Sequence, residues 1–420
     1  QQNAGTLNIT VDQVSGGIGI DANATTGATT ITLGSTAVVT GLVEAGIDAR
    51  STGGAITVQG SSGDVVGATD GMYVRSMGGV ITVDNLDSVT GQMGEGLNLY
   101  SAGGDITVIA VDAITGTGRD GILAVSDGGN ISIQGSGLVG DITSINDRGI
   151  TARANGGDIN IGGLATNGAV TGELGIYAST NGLGNIIVDS TGGAVTATLS
   201  SGILATNSGS GSTTITTGDV SATTVGAPLI FQSGIAAFST GSDLIIDSSA
   251  GTVVASAFGI FADHSGTGQV LITTADVNSQ GSYGILASNA GTDLIIDSSA
   301  GSVSGGNRGI DARNNGTGAL AITTADVTGT TGDGIFAQSN ASASGDVTIN
   351  TVGGVVEGAA EGIDARNYGS GTLAITVDDV TGGTNGISAQ AATGETVIIL
   401  SSTADVTGIA ALGIVASSTG

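Results

Sequence analysis

A glycine followed by alternating apolar residues recurs along the whole chain, for example as Gly-Ile-Asp-Ala at 46–49 and Gly-Ile-Leu-Ala at 284–287. The intervals between copies run from 24 to 32 residues, and seven of the fifteen are 25 residues. A nearly fixed period in this range is typical of stacked-repeat proteins, in which each repeat packs only against its neighbours. The sixteen repeat glycines are Gly19, Gly46, Gly71, Gly96, Gly121, Gly149, Gly175, Gly202, Gly234, Gly259, Gly284, Gly309, Gly334, Gly362, Gly386 and Gly413.

Each repeat contains three short runs in which apolar and polar residues alternate. The first begins at the repeat glycine, the second reads Ala-Ile-Thr-Val at 55–58, and the third reads Val-Thr-Gly at 89–91. Alternation with period two over β-branched residues, bounded by Gly, Ser, Asn and Asp, is typical of half-buried strands. The predicted fold class is all-β: a right-handed, single-stranded parallel β-helix (β-solenoid) of about 16 coils, each with three strands and 25 to 26 residues.

In this fold the second and fourth residues of the first strand, mostly Ile and Ala, point into the core. We expect the corner glycines to supply positive φ, and corner Asp and Asn to tolerate the left-handed region. We expect one continuous solenoid over residues 1–420, as part of a longer chain. A coil pair of about 50 residues is duplicated around 234–334, because Asp-Leu-Ile-Ile-Asp at 243–247 returns at 293–297.

The net charge of the chain limits the classes of partner that it can bind. There are 8 arginines, no lysine and 36 acidic residues, which gives a net charge of −28. Such acidity disfavours nucleic acid and anionic membranes as partners. No run of about 20 apolar residues is present, so we expect no direct membrane insertion of this segment as a helix. Without cysteine, disulfides and thiolate metal sites are excluded.

The third and fifth residues of the first strand are predicted to face solvent. They are polar towards both ends of the chain and include Leu, Tyr and Phe through the middle. An exposed apolar stripe of this kind usually marks an interface. We therefore predict a lateral contact stripe formed by Tyr73, Tyr100, Leu123, Val125, Tyr177, Leu204, Phe238, Phe261, Leu286 and Phe336.

Arginine occupies the fifth position in five repeats, and in three of them Asp stands at the third position. Residues two apart on a strand share a face, so these side chains can pair within a coil or with the next coil. We predict a structural ion-pair ladder, exposed and contributing about 0–1 kcal/mol per pair. Its members are Asp48, Arg50, Asp311, Arg313, Asp364 and Arg366.

The sequence predicts no catalytic, cofactor or metal site. His264 is the single histidine and is predicted to be a turn residue, and the Asp residues recur with the repeat rather than gathering on one coil. The run Gly-Gly-Ile-Gly-Ile-Asp at 16–21 matches the start of a calcium-binding nonapeptide, but it occurs once. Calcium could bind weakly through corner carboxylates before the third strand. These are Asp219, Asp276, Asp326 and Asp379.

Coils of the form Gly-Ile-x-Ala, Gly-x-Ile-Thr-Val and Val-Thr-Gly, in a lysine-poor and cysteine-free chain, resemble the repetitive β-helical passenger regions of bacterial autotransporters and related large surface adhesins. The resemblance covers the whole chain in repeat style and names no site residue. It implies export across the outer membrane of a Gram-negative bacterium and display at, or release from, the cell surface. The partners it implies are other copies of the chain, or host and cell-surface molecules.

We therefore expect a non-catalytic, surface-exposed or secreted structural or adhesive protein, a rigid β-helical stalk or autotransporter-type passenger. One alternative is a self-assembling subunit of an extracellular filament or sheath, since an uncapped coil leaves unpaired backbone groups that invite strand addition. Another is a polysaccharide lyase or hydrolase, because parallel β-helices also carry such enzymes. Those reactions need an Arg or Lys base beside calcium-binding acids, or a close set of carboxylates.

Overall fold

The computed structural model describes residues 5–134, 140–163, 168–223 and 232–419. Every regular element in these ranges is a β-strand, and the strands stack in parallel as a β-solenoid of about 15 turns. The predicted all-β, parallel solenoid fold is confirmed. The chain divides into two compact units, Gln1–Gly211 and Ser212–Gly420.

The strands of the first unit are β1 (Leu7–Gly16), β2 (Ile20–Ala24), β3 (Thr29–Gly41), β4 (Ile47–Ser51), β5 (Ile56–Gly60), β6 (Asp64–Gly67), β7 (Met72–Ser76), β8 (Ile81–Gly91), β9 (Leu97–Ser101), β10 (Ile106–Gly116), β11 (Ile122–Ser126), β12 (Ile131–Ile133), β13 (Asp141–Ser144), β14 (Arg148–Asn155), β15 (Ile159–Ile161), β16 (Val170–Gly172), β17 (Leu174–Asn181), β18 (Ile186–Ser190), β19 (Val195–Ala197) and β20 (Ile203–Asn207).

The strands of the second unit are β21 (Thr213–Thr217), β22 (Val220–Ala222), β23 (Ser233–Ser239), β24 (Leu244–Ser248), β25 (Val253–Ala255), β26 (Phe258–His264), β27 (Val270–Thr274), β28 (Val277–Ser279), β29 (Ile285–Asn289), β30 (Leu294–Ser298), β31 (Val303–Gly305), β32 (Ile310–Asn314), β33 (Leu320–Thr324), β34 (Val327–Gly329), β35 (Ile335–Ser339), β36 (Val347–Gly358), β37 (Ile363–Asn367), β38 (Leu373–Gly382), β39 (Ile387–Ala391), β40 (Thr396–Leu400), β41 (Val406–Gly408) and β42 (Ile414–Ser418).

The first strands of successive coils form a sheet of their own in each unit. Its order is β2-β4-β7-β9-β11-β14-β17-β20 in the first unit and β23-β26-β29-β32-β35-β37-β39-β42 in the second. The other strands are the second and third strands of each coil. In several coils one long strand covers both, namely β1, β3, β8, β10, β36 and β38. We call the outward side of the first strands, together with the two residues before each repeat glycine, the first-strand face.

Alternation places the apolar residues of each first strand inside, as expected. Ile47 and Ala49 are fully buried, and they lie in register with Met72 and Val74 of the next coil. The same pairing repeats from coil to coil within each unit, so every coil covers the aliphatic row of its neighbour. Burial of these aliphatic side chains is the main stabilising contribution, at about 1.5–3 kcal/mol for each Ile, Val or Leu.

The repeat glycines do not serve the role expected of them. Positive φ is found among described glycines only at Gly156, Gly163, Gly182 and Gly353, and none of these is a repeat glycine. A Cβ on Gly71 would instead lie 2.6 Å from Val89 Cγ1 and 2.7 Å from the carbonyl oxygen of the next repeat glycine. The repeat therefore requires glycine because the start of the first strand crosses closely over the third-strand valine. The positive φ expected of corner glycines is found at Gly156 and Gly182, in the turns after β14 and β17, but the repeat glycines do not adopt it.

Corner Asp and Asn residues also act differently from the prediction. Among those described, only Asn85 has a left-handed backbone, with φ of 56°. The side chains instead accept hydrogen bonds from the next coil: Asn130 N–H donates to Asp105 Oδ1 at 2.7 Å, and Asp158 N–H donates to Asn130 Oδ1 at 2.8 Å. Each such contact extends the parallel hydrogen-bond ladder past the end of the strand. Much of the acidity of the chain therefore has a structural use between coils.

A second polar row lies inside the coils, at the end of most first strands. Ser101 Oγ accepts a hydrogen bond from Gly104 N–H at 2.9 Å, and Asn314 accepts one from Gly316 N–H at 3.1 Å. His264 occupies this inner row at the end of β26 and is 1% exposed. Its predicted place in a turn was wrong, because the side chain points inward with the row. Neither ring nitrogen has a hydrogen-bond partner among the described residues.

Candidate functional site

All eight arginines lie on the first-strand face. Arg50, Arg75, Arg153, Arg313 and Arg366 occupy the fifth position of the first strand, whereas Arg119, Arg148 and Arg308 lie one or two residues before a repeat glycine. Eight of the nine described aromatic residues also lie on this face. The second and third strands carry no cation in the described ranges, so each unit has one chemically distinct side.

The predicted contact stripe faces outward but is not an open apolar surface. Nine of its ten side chains are half-buried, and Phe336 is only 5% exposed. Side chains of adjacent coils stack on one another, and arginines cover several of the rings. The structure thus places these residues together on the first-strand face of their unit. A lateral contact role for the stripe stays a prediction.

Arginine lies over tyrosine along the first unit. Arg50 Cζ is 5.0 Å from the ring centroid of Tyr73, and Arg75 Cζ is 4.9 Å from that of Tyr100. Tyr177 lies under two guanidinium groups, at 4.7 Å and 5.2 Å. Attraction between a cation and an aromatic face contributes about 0.5–1 kcal/mol at exposed sites. These rings therefore hold the guanidinium groups in place on the surface.

The structure joins the predicted Asp–Arg pairs, each within one coil. Arg50 donates to both carboxylate oxygens of Asp48 at 2.7 Å, and Arg366 Nε donates to Asp364 Oδ1 at 3.0 Å. The expected exposure was wrong for the acidic partners, because Asp48, Asp311 and Asp364 are all buried. Side chains of the neighbouring coils stack over them. A buried carboxylate depends strongly on its cation, since an unpaired buried charge is costly.

The second unit contains a closed network around Asp311, which is fully buried. Arg308 Nη1 lies 2.6 Å from Asp311 Oδ2, and Arg313 Nε lies 2.8 Å from Asp311 Oδ1. Arg308 also reaches Asp333 on the next coil at 2.9 Å. Both arginines and Arg366 lie within 5.3 Å of the Phe336 ring centroid. Each of these three cations is neutralised by a carboxylate and packed on an aromatic ring.

An aromatic cluster precedes this network on the same face. Phe238 and Phe261 meet edge to face at 5.2 Å between ring centroids, and Phe258 stacks on Phe261 at 5.5 Å and on Tyr283 at 5.7 Å. Such pairs contribute about 0.5–1.5 kcal/mol beyond their burial. Phe238 and Phe261 belong to the predicted stripe, whereas Phe258 and Tyr283 precede repeat glycines and were not anticipated.

A column of acids occupies the position before the repeat glycine in the first unit, namely Asp70, Glu95 and Asp120. Burial, followed by a hydrogen bond with the Asp70 carboxylate, raises the pKa of Glu95 to about 7. Arg119, 3.6 Å from Glu95, acts in the opposite direction. Burial also raises the pKa of Asp120. Glu95 can therefore take up a proton close to neutral pH. The column of acids becomes visible in the sequence only when the repeats are aligned on their period.

Two cavities lie along the edge of the first-strand face in the first unit. One, of about 320 Å³, is lined by residues that include Asn23, Arg50, Arg75 and Met77. The other, of about 300 Å³, includes Arg153 in its wall. Both are shallow and open, and each presents at least one guanidinium group held by a tyrosine ring.

The corner carboxylates considered for calcium each accept a hydrogen bond from a backbone N–H of the next coil. Ser302 N–H donates to Asp276 Oδ1 at 2.8 Å, and the pKa of Asp276 is lowered by this bond and by the Ser302 hydroxyl. Asp219, Asp326 and Asp379 accept similar bonds at 2.8 to 2.9 Å. In the described parts of the chain, no group of three or more His, Asp or Glu side chains is placed to hold a metal ion. Weak calcium binding stays a prediction.

No helix long and apolar enough to cross a membrane occurs within the ranges that the structure describes. The chain was compared with protein-family models, with curated proteins and with solved structures. None of the three comparisons gave a match.

Proposed function

We propose that this chain is a non-catalytic bacterial protein, exposed at the cell surface or secreted, in which a β-solenoid serves as a rigid stalk or adhesive passenger of the autotransporter type. Its mechanism is mechanical and interfacial. Parallel ladders and corner carboxylates hold successive coils together, while one face contacts the partner. The partners we propose are host or cell-surface molecules, or other copies of the chain.

The stiffness of each unit supports the mechanical part. Along every row, backbone N–H groups donate to carbonyls of the adjacent coil, as for Ile47 N–H to Gly71 O at 3.1 Å and Ile310 N–H to Gly334 O at 3.0 Å. Stretching a unit along the stack would break three such rows at once. A structure of this kind transmits force and holds a binding surface away from its anchor.

The concentration of arginine and aromatic residues on the first-strand face is the observation that carries the adhesive part. Arg, Tyr and Phe are enriched in the cores of protein interfaces, because they combine large contact area with a polar or charged group. In a chain of net charge −28, random placement would scatter eight cations over all three sides. Their restriction to the first-strand face within each unit favours that face as the contact surface.

Surface display can be tested by treating intact producing bacteria with protease and probing the chain with antibody. We expect cleavage without cell lysis, whereas a chain protected until lysis would contradict the proposed localisation. Adhesion can be tested with beads coated with the purified protein and offered to host-cell and bacterial surfaces. The variant Arg75→Ala/Arg153→Ala should adhere less than the wild type. The matched control Asp247→Asn/Asp297→Asn changes two outward second-strand residues and should adhere normally.

The enzyme alternative is tested separately. Incubation with acidic polysaccharides, with and without calcium, should release no unsaturated or reducing ends. Release of either product would replace the adhesive function by a lyase or hydrolase.

A further inference from the structure

The cavity of about 320 Å³ in the first unit has two guanidinium groups in its wall. Arg50 and Arg75 lie in register on β4 and β7, so they project from adjacent coils about 4.8 Å apart. Arg50 already binds the buried Asp48 carboxylate through two hydrogen bonds. The cavity therefore offers an anion one guanidinium that is paired within its coil and, at Arg75, one that is not.

Both guanidinium groups are pre-organised. Arg50 is fixed by Asp48 and by the ring of Tyr73. Arg75 lies on the ring of Tyr100, whose hydroxyl donates to Asp127 Oδ2 at 2.6 Å. Among the described residues, no carboxylate oxygen lies within 4.0 Å of the Arg75 guanidinium nitrogens, so its donors remain available. A fixed, unneutralised guanidinium is suited to bidentate binding of a carboxylate.

The remaining wall of the cavity is suited to a sugar ring. The Asn23 side chain is exposed at the rim. Its Nδ2 donates one hydrogen bond to Asp21 Oδ1, which leaves its second N–H and its carbonyl oxygen for a ligand. Met77, 47% exposed, provides an apolar and adaptable surface. A uronic acid combines the matching groups, namely one carboxylate, several hydroxyls and an apolar C–H face. An acidic peptide would use the arginines and would pair its backbone with the amide, but it has no rigid C–H face to lie on Met77.

The second cavity lies on the same edge and contributes Arg153. Arg75 and Arg153 are three coils apart along the row β7-β9-β11-β14, which corresponds to about 14 Å. Arg153 rests on Tyr177 and, like Arg75, has no carboxylate partner within 4.0 Å among the described residues. Both cavities could therefore bind one linear polymer that runs along the stack.

We propose that this edge of the first unit binds the uronic acid residues of a linear acidic polysaccharide, with one carboxylate between Arg50 and Arg75 and another at Arg153. The proposal rests on the adhesive function above and names the ligand class of the first-strand face. Two subsites on one rigid surface predict that an oligomer binds more tightly than the monomer, because the second contact forms intramolecularly.

The test is isothermal titration of the full chain with a hexamer of galacturonic acid. We expect saturable binding, weaker binding of the monomer, and none of the methyl-esterified hexamer, which lacks the charge. Arg75→Gln should weaken binding about ten- to a hundredfold, in line with loss of a charged hydrogen bond. Arg313→Gln, at the same repeat position but in the second unit, is the matched control and should bind as the wild type does.

Three results would overturn the proposal: no binding of the hexamer, equal loss in the Arg75 and Arg313 variants, or equal binding of the methyl ester. Equally tight binding of poly-glutamate would also overturn it and would identify an acidic polypeptide as the partner. Failure of the hexamer to bind while coated beads still adhere would remove this ligand and leave the adhesive function standing. Loss of bead adhesion in addition would remove both.

Discussion

The two units place arginine at the same repeat position but give it different partners. In the first unit, Arg75 and Arg153 rest on tyrosine rings and have no carboxylate within 4.0 Å among the described residues. In the second unit, Arg313 and Arg366 bind buried aspartates of their own coil. Arg50, also in the first unit, binds the buried Asp48 in the same way. The same repeat position therefore carries an available charge at Arg75 and Arg153, and a neutralised one at Arg50 and in the second unit.

This difference shows that the role of a repeated residue is decided by its neighbours on adjacent coils rather than by its place in the repeat. A tyrosine leaves the hydrogen-bond donors of the guanidinium free, whereas an aspartate occupies them. We therefore expect substitutions of Arg75 and Arg153 to affect binding, and substitutions of the aspartate-bound arginines to affect stability.

The largest effect on stability should come from Arg308→Ala, which removes the cation shared by Asp311 and Asp333. Buried carboxylates that lose this cation should lower the free energy of unfolding by about 3 kcal/mol or more. Arg75→Ala should cost about 1 kcal/mol or less, since only an exposed cation–π contact is lost. Urea unfolding followed by circular dichroism measures both. Similar shifts of the two urea midpoints would contradict the expected difference between Arg308 and Arg75. Adding Asp333→Asn to Arg308→Ala should recover part of the lost stability.

A second pair of substitutions tests whether the units share the same packing. Gly71→Ala and Gly309→Ala should each destabilise by about 1–3 kcal/mol, because the new Cβ would lie 2.6 Å and 2.3 Å from a third-strand valine. Similar losses of stability in both units would show that the packing around the repeat glycine is the same in the two units. The units would then differ in charge and not in packing. The control is Gly78→Ala, where a Cβ meets nothing within 4 Å. A large loss in this control would contradict the steric explanation.

A smaller effect is expected from His264→Asn in the second unit, which completes the inner polar row. The neighbouring Asn289 accepts from Gly291 N–H at 2.9 Å and donates to Asp293 O at 2.8 Å, and an asparagine in place of His264 would find equivalent groups two and four residues on. The gain should be about 1 kcal/mol. Burial lowers the pKa of His264, so the wild type loses stability as pH falls below about 6.5. The variant should lack that loss, and thermal unfolding at pH 7 and pH 5 would reveal it.

A further pH-dependent effect concerns Glu95 in the first unit, and its sign is opposite. The pKa of Glu95 is raised from 4.5 to about 7, so the folded state favours the protonated acid. Its stabilising contribution is present below pH 4.5 and is lost as pH rises towards 7. Urea midpoints between pH 4.5 and pH 8 should fall less in Glu95→Gln than in the wild type. Parallel curves for the two proteins would contradict the assignment.

The fold could be predicted from the sequence because a period of about 25 residues and strict alternation admit few other architectures. The Asp48–Arg50 pair was also predictable, since residues two apart on a strand share a face. The burial of Asp311 was not predictable, because it depends on Arg308 and Phe336. Both residues lie outside the Gly-Ile-Asp-Ala-Arg run at 309–313 that contains Asp311. The packing role of Gly71 was not predictable, since the approach of a third-strand valine is visible only in the cross-section of a coil.

The corner carboxylates have a consequence for how such a chain lengthens. The coil pair repeated around 234–334 carries its corner acids with it, as Asp243 and Asp276 correspond to Asp293 and Asp326. Each duplication thus adds the carboxylates that hold its own turns together. The same carboxylates add negative charge, which increases the electrostatic repulsion between molecules. A longer chain would therefore aggregate no more readily per turn than a shorter one. Its length could increase without a separate change that prevents aggregation.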